Sequence, residues 1–319
     1  MDDVHRLQIP TPFDVGRVNC YVFAGEELTL LDPGPDTEAA YEELSTGLER
    51  YGFAIDDIDR VVITHPHMDH FGIAGRIVEE SGAYSVAHRD ATHRLVDPIG
   101  HFDHEQTFFR PFLQKMGVPE RTAETAVKLP EAYSDYQTPL GVDRKLTDGD
   151  SVDVGVELKA IHTPGHAPGS VCFVSAADNT GFTGDHVLGH ISPNPLLTLE
   201  PGAEDERTRS LPTYLDSLRR MRGGVDIGHA GHGDVVPDLD ERIEAIIEHH
   251  HSRKERIEDI LRKQSGATAY EVMEEMFPDL PATEIFPGMS EVIGHLDLLE
   301  DENRVEITEA DGVRQYRPR

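Results

Sequence analysis

The chain has 319 residues and 38 % hydrophobic content, enough for two domains and a buried core in the larger one. Its 29 basic and 60 acidic residues give a formal net charge of −31, spread along the chain with only six lysines, which disfavours nonspecific nucleic-acid binding. No apolar run approaches the roughly 20 residues that span a bilayer. The start, Met1-Asp2-Asp3-Val4-His5-Arg6, is acidic rather than signal-like, so a soluble, cytoplasmic protein without membrane contact is expected.

Short apolar runs bounded by turn residues predict strands over 18–23, 28–31, 60–64 and 84–87, with helices over 38–51 and 71–81. The second run ends in a carboxylate, Leu31-Asp32-Pro33-Gly34. The third, Val61-Val62-Ile63, leads into Thr64-His65-Pro66-His67-Met68-Asp69-His70. Histidines two apart at the end of a strand can close on one ion, while Asp69 and His70 at the start of the next helix can face a second. This is a candidate binuclear metal site.

Residues 91–145 break the rhythm with a helical insertion that holds His101-Phe102-Asp103-His104 and the aromatic group Phe108, Phe109 and Phe112. Beside a metal rim it would act as a lid over the substrate; the alternative is a helical pair that extends the core. His101 and His104 lack a complete third ligand set. The strand pattern resumes after Lys145, and three further candidates follow at strand-to-loop junctions: His166, Asp185 and His232. His229, three residues before His232, competes for the last position. His186, next to Asp185, reads either as a substrate contact or proton donor, or as a solvated loop histidine. Cys20 and Cys172 lie in apolar runs, as buried free thiols do.

A different composition begins near Asp238. Ile243, Ile246, Ile247, Ile257, Ile260 and Leu261 give helical spacing, with His249-His250-His251 as a solvated face. Further helices are predicted over 269–276 and 290–299, then a hairpin of 304–308 with 313–316. The last helix carries Glu291, Asp297, Glu300, Asp301 and Glu302 with no cation before Arg304, the wrong sign for DNA phosphates. That leaves packing, homodimer formation or substrate flanking as roles for this tail.

In order, Asp32, the His65 to His70 cluster, His166, Asp185 and His232 match the five motifs of the metallo-β-lactamase superfamily, which the chain resembles over roughly residues 10 to 240. The resemblance implies an α/β fold: an αββα sandwich with a helical insertion and a small C-terminal winged-helix-like domain. Residues 1–238 would be the catalytic domain and 239–319 the appendage. It further implies that His65, His67 and His166 hold one metal, Asp69, His70 and His232 the other, and Asp185 bridges them. Asp32 would sit behind the ligands and orient a histidine. Family spacing favours His232 over His229.

Two divalent ions in such a set activate a bridging hydroxide and polarise the substrate, which makes hydrolysis the expected chemistry. Asp69 would accept a hydrogen bond from that hydroxide as well as touch a metal. Zn²⁺ suits these ligands first, and Fe or Mn is tolerated. The leading expectation is a small-molecule thioester or ester, in a branch similar to hydroxyacylglutathione hydrolases, although the insertion and tail depart from those enzymes. The alternatives are a single-strand endoribonuclease and, weaker, a non-catalytic metal-binding protein. The dispersed acidic charge resembles that of proteins from salt-in halophiles.

Overall fold

The computed structural model describes residues 4–128 and 134–319. Met1 to Asp3 and the 129–133 part of the insertion lie outside the described residues. The first sheet takes strands β1 (Val4–Ile9), β2 (Val18–Ala24), β3 (Leu28–Leu31), β4 (Ile58–Val62), β5 (Tyr84–His88) and β6 (Arg144–Leu146) in sequence order. The pairings of β1 with β2 and β2 with β3 are antiparallel, and those from β3 to β6 are parallel. A second sheet runs β11 (Ile227–Ala230), β10 (Thr180–Gly184), β9 (Val171–Ser175), β8 (Glu157–His162) and β7 (Ser151–Asp153), with only β10 and β11 parallel.

Every residue of β2 from Val18 to Phe23 is buried, Asn19 included, because both faces of the strand are covered. Cys20 and Val22 join a core under helices α1 (Glu38–Glu49), α2 (Met68–Phe71), α3 (Ala74–Ser81) and α4 (Thr92–Val96). Tyr21 and Phe23 point the other way, into a core between the two sheets with Phe173 and Phe182. On the far side of the second sheet, α7 (Ser210–Met221) packs with the first half of α8 (Leu239–Gln264). The result is the αββα sandwich that the motifs imply.

The insertion forms α5 (Pro98–Lys115) and α6 (Glu120–Lys128). Their apolar faces share one core with the second half of α8, α9 (Ala269–Met276), α10 (Ile285–Asp301) and the hairpin of β12 (Val305–Ala310) and β13 (Val313–Pro318). Asp311 and Gly312 close that hairpin at φ of 52° and 79°, the left-handed pair that a two-residue turn requires. Cys20 and Cys172 are buried free thiols, as expected.

Three local expectations are corrected. The single helix over 71–81 is two, α2 and α3, because the Gly34 and Thr138 amides take the His70 and Gly72 carbonyls. A Cβ on Gly72 would also lie 2.2 Å from the Tyr136 carbonyl. His249-His250-His251 is not wholly a solvated face: His250 is buried, continuing the stripe of Ile243, Ile246 and Ile247. Two of the acids on α10 are not surface charge either, since Glu291 and Asp297 are buried and Asp297 accepts two bonds from Arg207, at 2.8 and 2.6 Å.

Candidate active site

Parallel and antiparallel pairings bring the ends of β3, β4, β8, β10 and β11 to one rim, which the chain stitches across the two sheets. The Asn19 amide bonds the Gly231 carbonyl (2.7 Å) and the Gly231 amide bonds the Gly184 carbonyl (2.8 Å). Tyr21 Oη donates to the Ala230 carbonyl at 2.7 Å. Gly231 admits no side chain: a Cβ there would meet Asp185 Oδ1 at 2.4 Å and His70 Cε1 at 2.7 Å.

On this rim His65, His67 and His166 offer nitrogen atoms within 4.8 Å of one another, and so do the ligand atoms of Asp69, His70 and His232. Asp185 reaches both groups, its Oδ2 lying 3.8 Å from His166 Nε2 and 3.6 Å from His232 Nε2. Its Oδ1 is 3.3 Å from His70 Nε2 without hydrogen-bond geometry.

The aim of the imidazoles is set from behind. Asp32 accepts from the Thr64 amide (2.8 Å), the Thr64 hydroxyl (2.5 Å) and His70 Nδ1 (2.9 Å). With its proton given to Asp32, the Thr64 hydroxyl accepts from His65 Nδ1 at 2.9 Å. His166 Nδ1 donates to the Asn194 carbonyl (3.0 Å) and His232 Nδ1 to the Arg17 carbonyl (2.9 Å). Four histidines therefore turn Nε2 inward, and the Nε2 atoms of His65 and His166 have no hydrogen-bond partner among the described residues. Buried, unspent donor atoms that converge with two carboxylates fit divalent cations in number and kind.

The electrostatics divide the cluster. Burial holds His65, His67 and His166 below the ordinary histidine range, which keeps them in the neutral form that binds metals. For His70 and His232 burial acts in the same sense but is outweighed by the surrounding carboxylates, Asp185 foremost, so both are raised. Asp69 and Asp185 respond in kind: burial opposes ionisation, and the paired histidines hold them well below the carboxylate range.

The remaining expectations resolve individually. His229 stacks on Phe182 (4.9 Å between rings), while His232 Nε2 reaches Asp69 Oδ2 at 3.1 Å. His186 is only 2 % exposed, which overturns the solvated-loop alternative. It packs edge-on against Tyr214 (5.3 Å) and does not line the cavity that opens beside the rim. His104 bonds the Glu204 carbonyl (2.9 Å) and His101 faces Glu105 (3.4 Å), so neither is left for a third metal. Thr64 and the Asn194 and Arg17 carbonyls were not assigned roles from sequence. Thr64 could have been suspected from its place before the cluster, whereas a backbone carbonyl leaves no trace in residue type.

His67 and His166 form part of the wall of a cavity of about 910 Å³. Helix α5 contributes Ile99, Phe102 and Phe109, and the start of α10 contributes Phe286 and Pro287. Of the aromatic group in the insertion only Phe109 reaches the cavity; Phe108 and Phe112 pack into the helical core.

A sandwich of mixed sheets with a histidine and aspartate rim defines a metal-site hydrolase of the α/β class. The family model of the metallo-beta-lactamase superfamily matches residues 13–232, and the chain belongs to that superfamily of hydrolases. It is 30% identical over 305 residues to a protein of Bacillus subtilis described as "Probable metallo-hydrolase YqjP", covering 95% of this chain and 94% of that one. It is also 27% identical over 288 residues to an "Atrochrysone carboxyl ACP thioesterase" of Aspergillus fumigatus, covering 86% and 72%. Among solved structures, the metallo-beta-lactamase family protein TTHA1429 from Thermus thermophilus superposes with a TM-score of 0.84 at 27% identity, over 99% of both chains. Among the described residues no helix is long and apolar enough to cross a membrane.

Proposed function

We propose that the chain is a binuclear metal hydrolase of small thioesters or esters, with His65, His67 and His166 for one divalent ion, Asp69, His70 and His232 for the other, and Asp185 between them. The observation that carries this reading is the set of four imidazoles whose Nδ1 atoms are tethered and whose Nε2 atoms converge beside a large cavity with a partly apolar wall. Zinc suits the donor set best. When bound, the two ions would supply a nucleophilic water near neutral pH and polarise the scissile carbonyl. Asp69, whose Oδ2 lies 3.1 Å from His232 Nε2, would accept a hydrogen bond from that nucleophile as well as touch a metal. His186 backs the Asp185 loop from the buried side.

In this reading residues 1–238 are the catalytic domain and 239–319 a winged-helix-like appendage whose α10 lends Phe286 and Pro287 to the cavity. The thioesterase description of the fungal relative supports a thioester, and we assign the chain to a hydroxyacylglutathione hydrolase-like branch on the strength of its motifs alone. Single-stranded RNA needs a track of cations and stacking surfaces; the described cavity wall holds one arginine and no lysine. The test is a hydrolysis panel in molar salt with acyl thioesters, lactones, bis(p-nitrophenyl) phosphate and single-stranded RNA. Thioester or ester turnover should exceed RNA cleavage at every salt concentration. RNA cleavage that His67→Ala abolishes, with no ester or thioester turnover, would reverse the assignment.

A further inference from the structure

Among the described residues, the one arginine of the cavity wall is unpaired. Arg94 lies on the short helix α4 and lines the same cavity as His67, yet it makes no ion pair or hydrogen bond among the described residues. This is unusual in a chain with 60 acids to 29 bases, where Arg207 grips Asp297 through two nitrogens and Arg304 meets Glu255, Glu258 and Glu302. The acids of the wall are spent elsewhere or turned outward. Glu105 is held by the Thr198 hydroxyl, the Leu199 amide (3.3 Å) and His101 Nε2 (3.4 Å). Asp14, Asp103 and Glu284 are exposed.

A guanidinium keeps its charge at any physiological pH, and here burial outweighs the pull of the Glu105 and Asp69 carboxylates, neither of which Arg94 contacts, so holding it without a touching counterion is costly. The same cavity has an apolar part to its wall, with Phe13, Val15, Ile99, Phe102, Leu196 and Phe286. A ligand that suits both features has an apolar body and one anionic group, which the planar fork of an arginine can bind through two parallel bonds.

We propose that Arg94 anchors an anionic group of the substrate, so that the compound cleaved at the histidine rim is an apolar acyl derivative bearing a carboxylate or a phosphate. This rests on the hydrolase reading for the bond that breaks, but not for the binding of the anion. The anion belongs either to the acyl part, as in a dicarboxylic monothioester, or to the thiol part, as in a phosphopantetheine thioester.

Two measurements on the full-length protein, wild type, Arg94→Met and Arg94→Lys, test it. The first is fluorescence titration with 8-anilinonaphthalene-1-sulfonate and with N-phenyl-1-naphthylamine, the same rings without the sulfonate. Wild type should favour the sulfonate by about tenfold to a hundredfold more than Arg94→Met does, with Arg94→Lys between them. The second is kcat/KM for glutaryl and pentanoyl thioesters of N-acetylcysteamine and for pentanoyl phosphopantetheine. Collapse of the glutaryl-to-pentanoyl ratio in Arg94→Met places the anion on the acyl part, and collapse of the phosphopantetheine-to-N-acetylcysteamine ratio places it on the thiol part. An equal fall with all three substrates, together with an unaltered probe preference, overturns the proposal while leaving the hydrolase reading intact. Loss of probe preference in Arg94→Met with no thioester or ester turnover in wild type keeps the role of Arg94 and removes the hydrolase reading.

Discussion

Two groups of buried histidines and acids in this protein use the same residue types to opposite ends. On the strand-end rim, His65 and His166 spend Nδ1 on a tether and keep Nε2 free. Between α8 and α10, every ring nitrogen of His250 and His295 is engaged. His250 Nδ1 meets His295 Nε2 at 3.3 Å, His295 Nδ1 donates to the Glu291 carbonyl at 2.7 Å, and His250 Nε2 faces Ser192 Oγ at 3.1 Å. Both groups bring three ligand-type atoms within 4.8 Å, and burial is much the same. Composition and burial therefore do not distinguish a ligand set from a packing network. Unspent imidazole nitrogens do: in the second group only Glu291 Oε1 lacks a hydrogen bond, and it faces Arg253 Nε at 3.4 Å, whereas the rim leaves ring nitrogens with no hydrogen-bond partner among the described residues.

The sharpest break in the comparison comes from removing one member of each group. His67→Ala and Asp185→Ala should each lose bound metal, read by elemental analysis, and lower kcat/KM by about a thousandfold or more. His295→Ala should retain the wild-type metal content; a metal loss there equal to that of His67→Ala would erase the distinction. A step behind the rim, Asp32→Asn removes the charge that holds His70 and, through Thr64, His65. Metal affinity should fall by about tenfold to a hundredfold, measured by chelator competition.

The packing network should report through stability instead. His295→Ala leaves His250 Nδ1 without its partner, and urea unfolding should show a loss of about 1–3 kcal/mol. A smaller effect is expected from pH. Burial pushes His295 down to about 4 and His250 to about 2, below the ordinary histidine value of 6.5, so the unfolded chain takes up protons first. Their contribution is full above about pH 6.5 and is lost as pH falls towards 4, with a slope of about 1.4 kcal/mol per pH unit for each proton. Glu291, whose carboxyl burial holds up, acts in the opposite sense. The slope is thus read as the difference between wild type and the His250→Phe/His295→Leu double variant, which should be flatter between pH 6.5 and 4. Parallel curves would show that these histidines do not titrate on unfolding.

Residue order alone determined the strand-end pattern: apolar runs that stop at Asp32, His65, Asp185 and His232 place metal-binding side chains where a sheet can present them. The apolar stripe of α8 was legible up to Ile247, but the burial of His250 was not, because a histidine carries no hydropathy signal that separates a core position from a wet one. Nor does the sequence show that helices 98–115 and 120–128 share a core with residues 257–316, since that contact joins segments more than a hundred residues apart. Only the tertiary structure decided which nitrogen of His166 and of His232 faces the centre, because the Asn194 and Arg17 backbone carbonyls that set it are common to every residue type. It likewise decided that Arg94 lines the cavity without a contacting acid among the described residues, because a charge is unpaired only by virtue of what surrounds it in space.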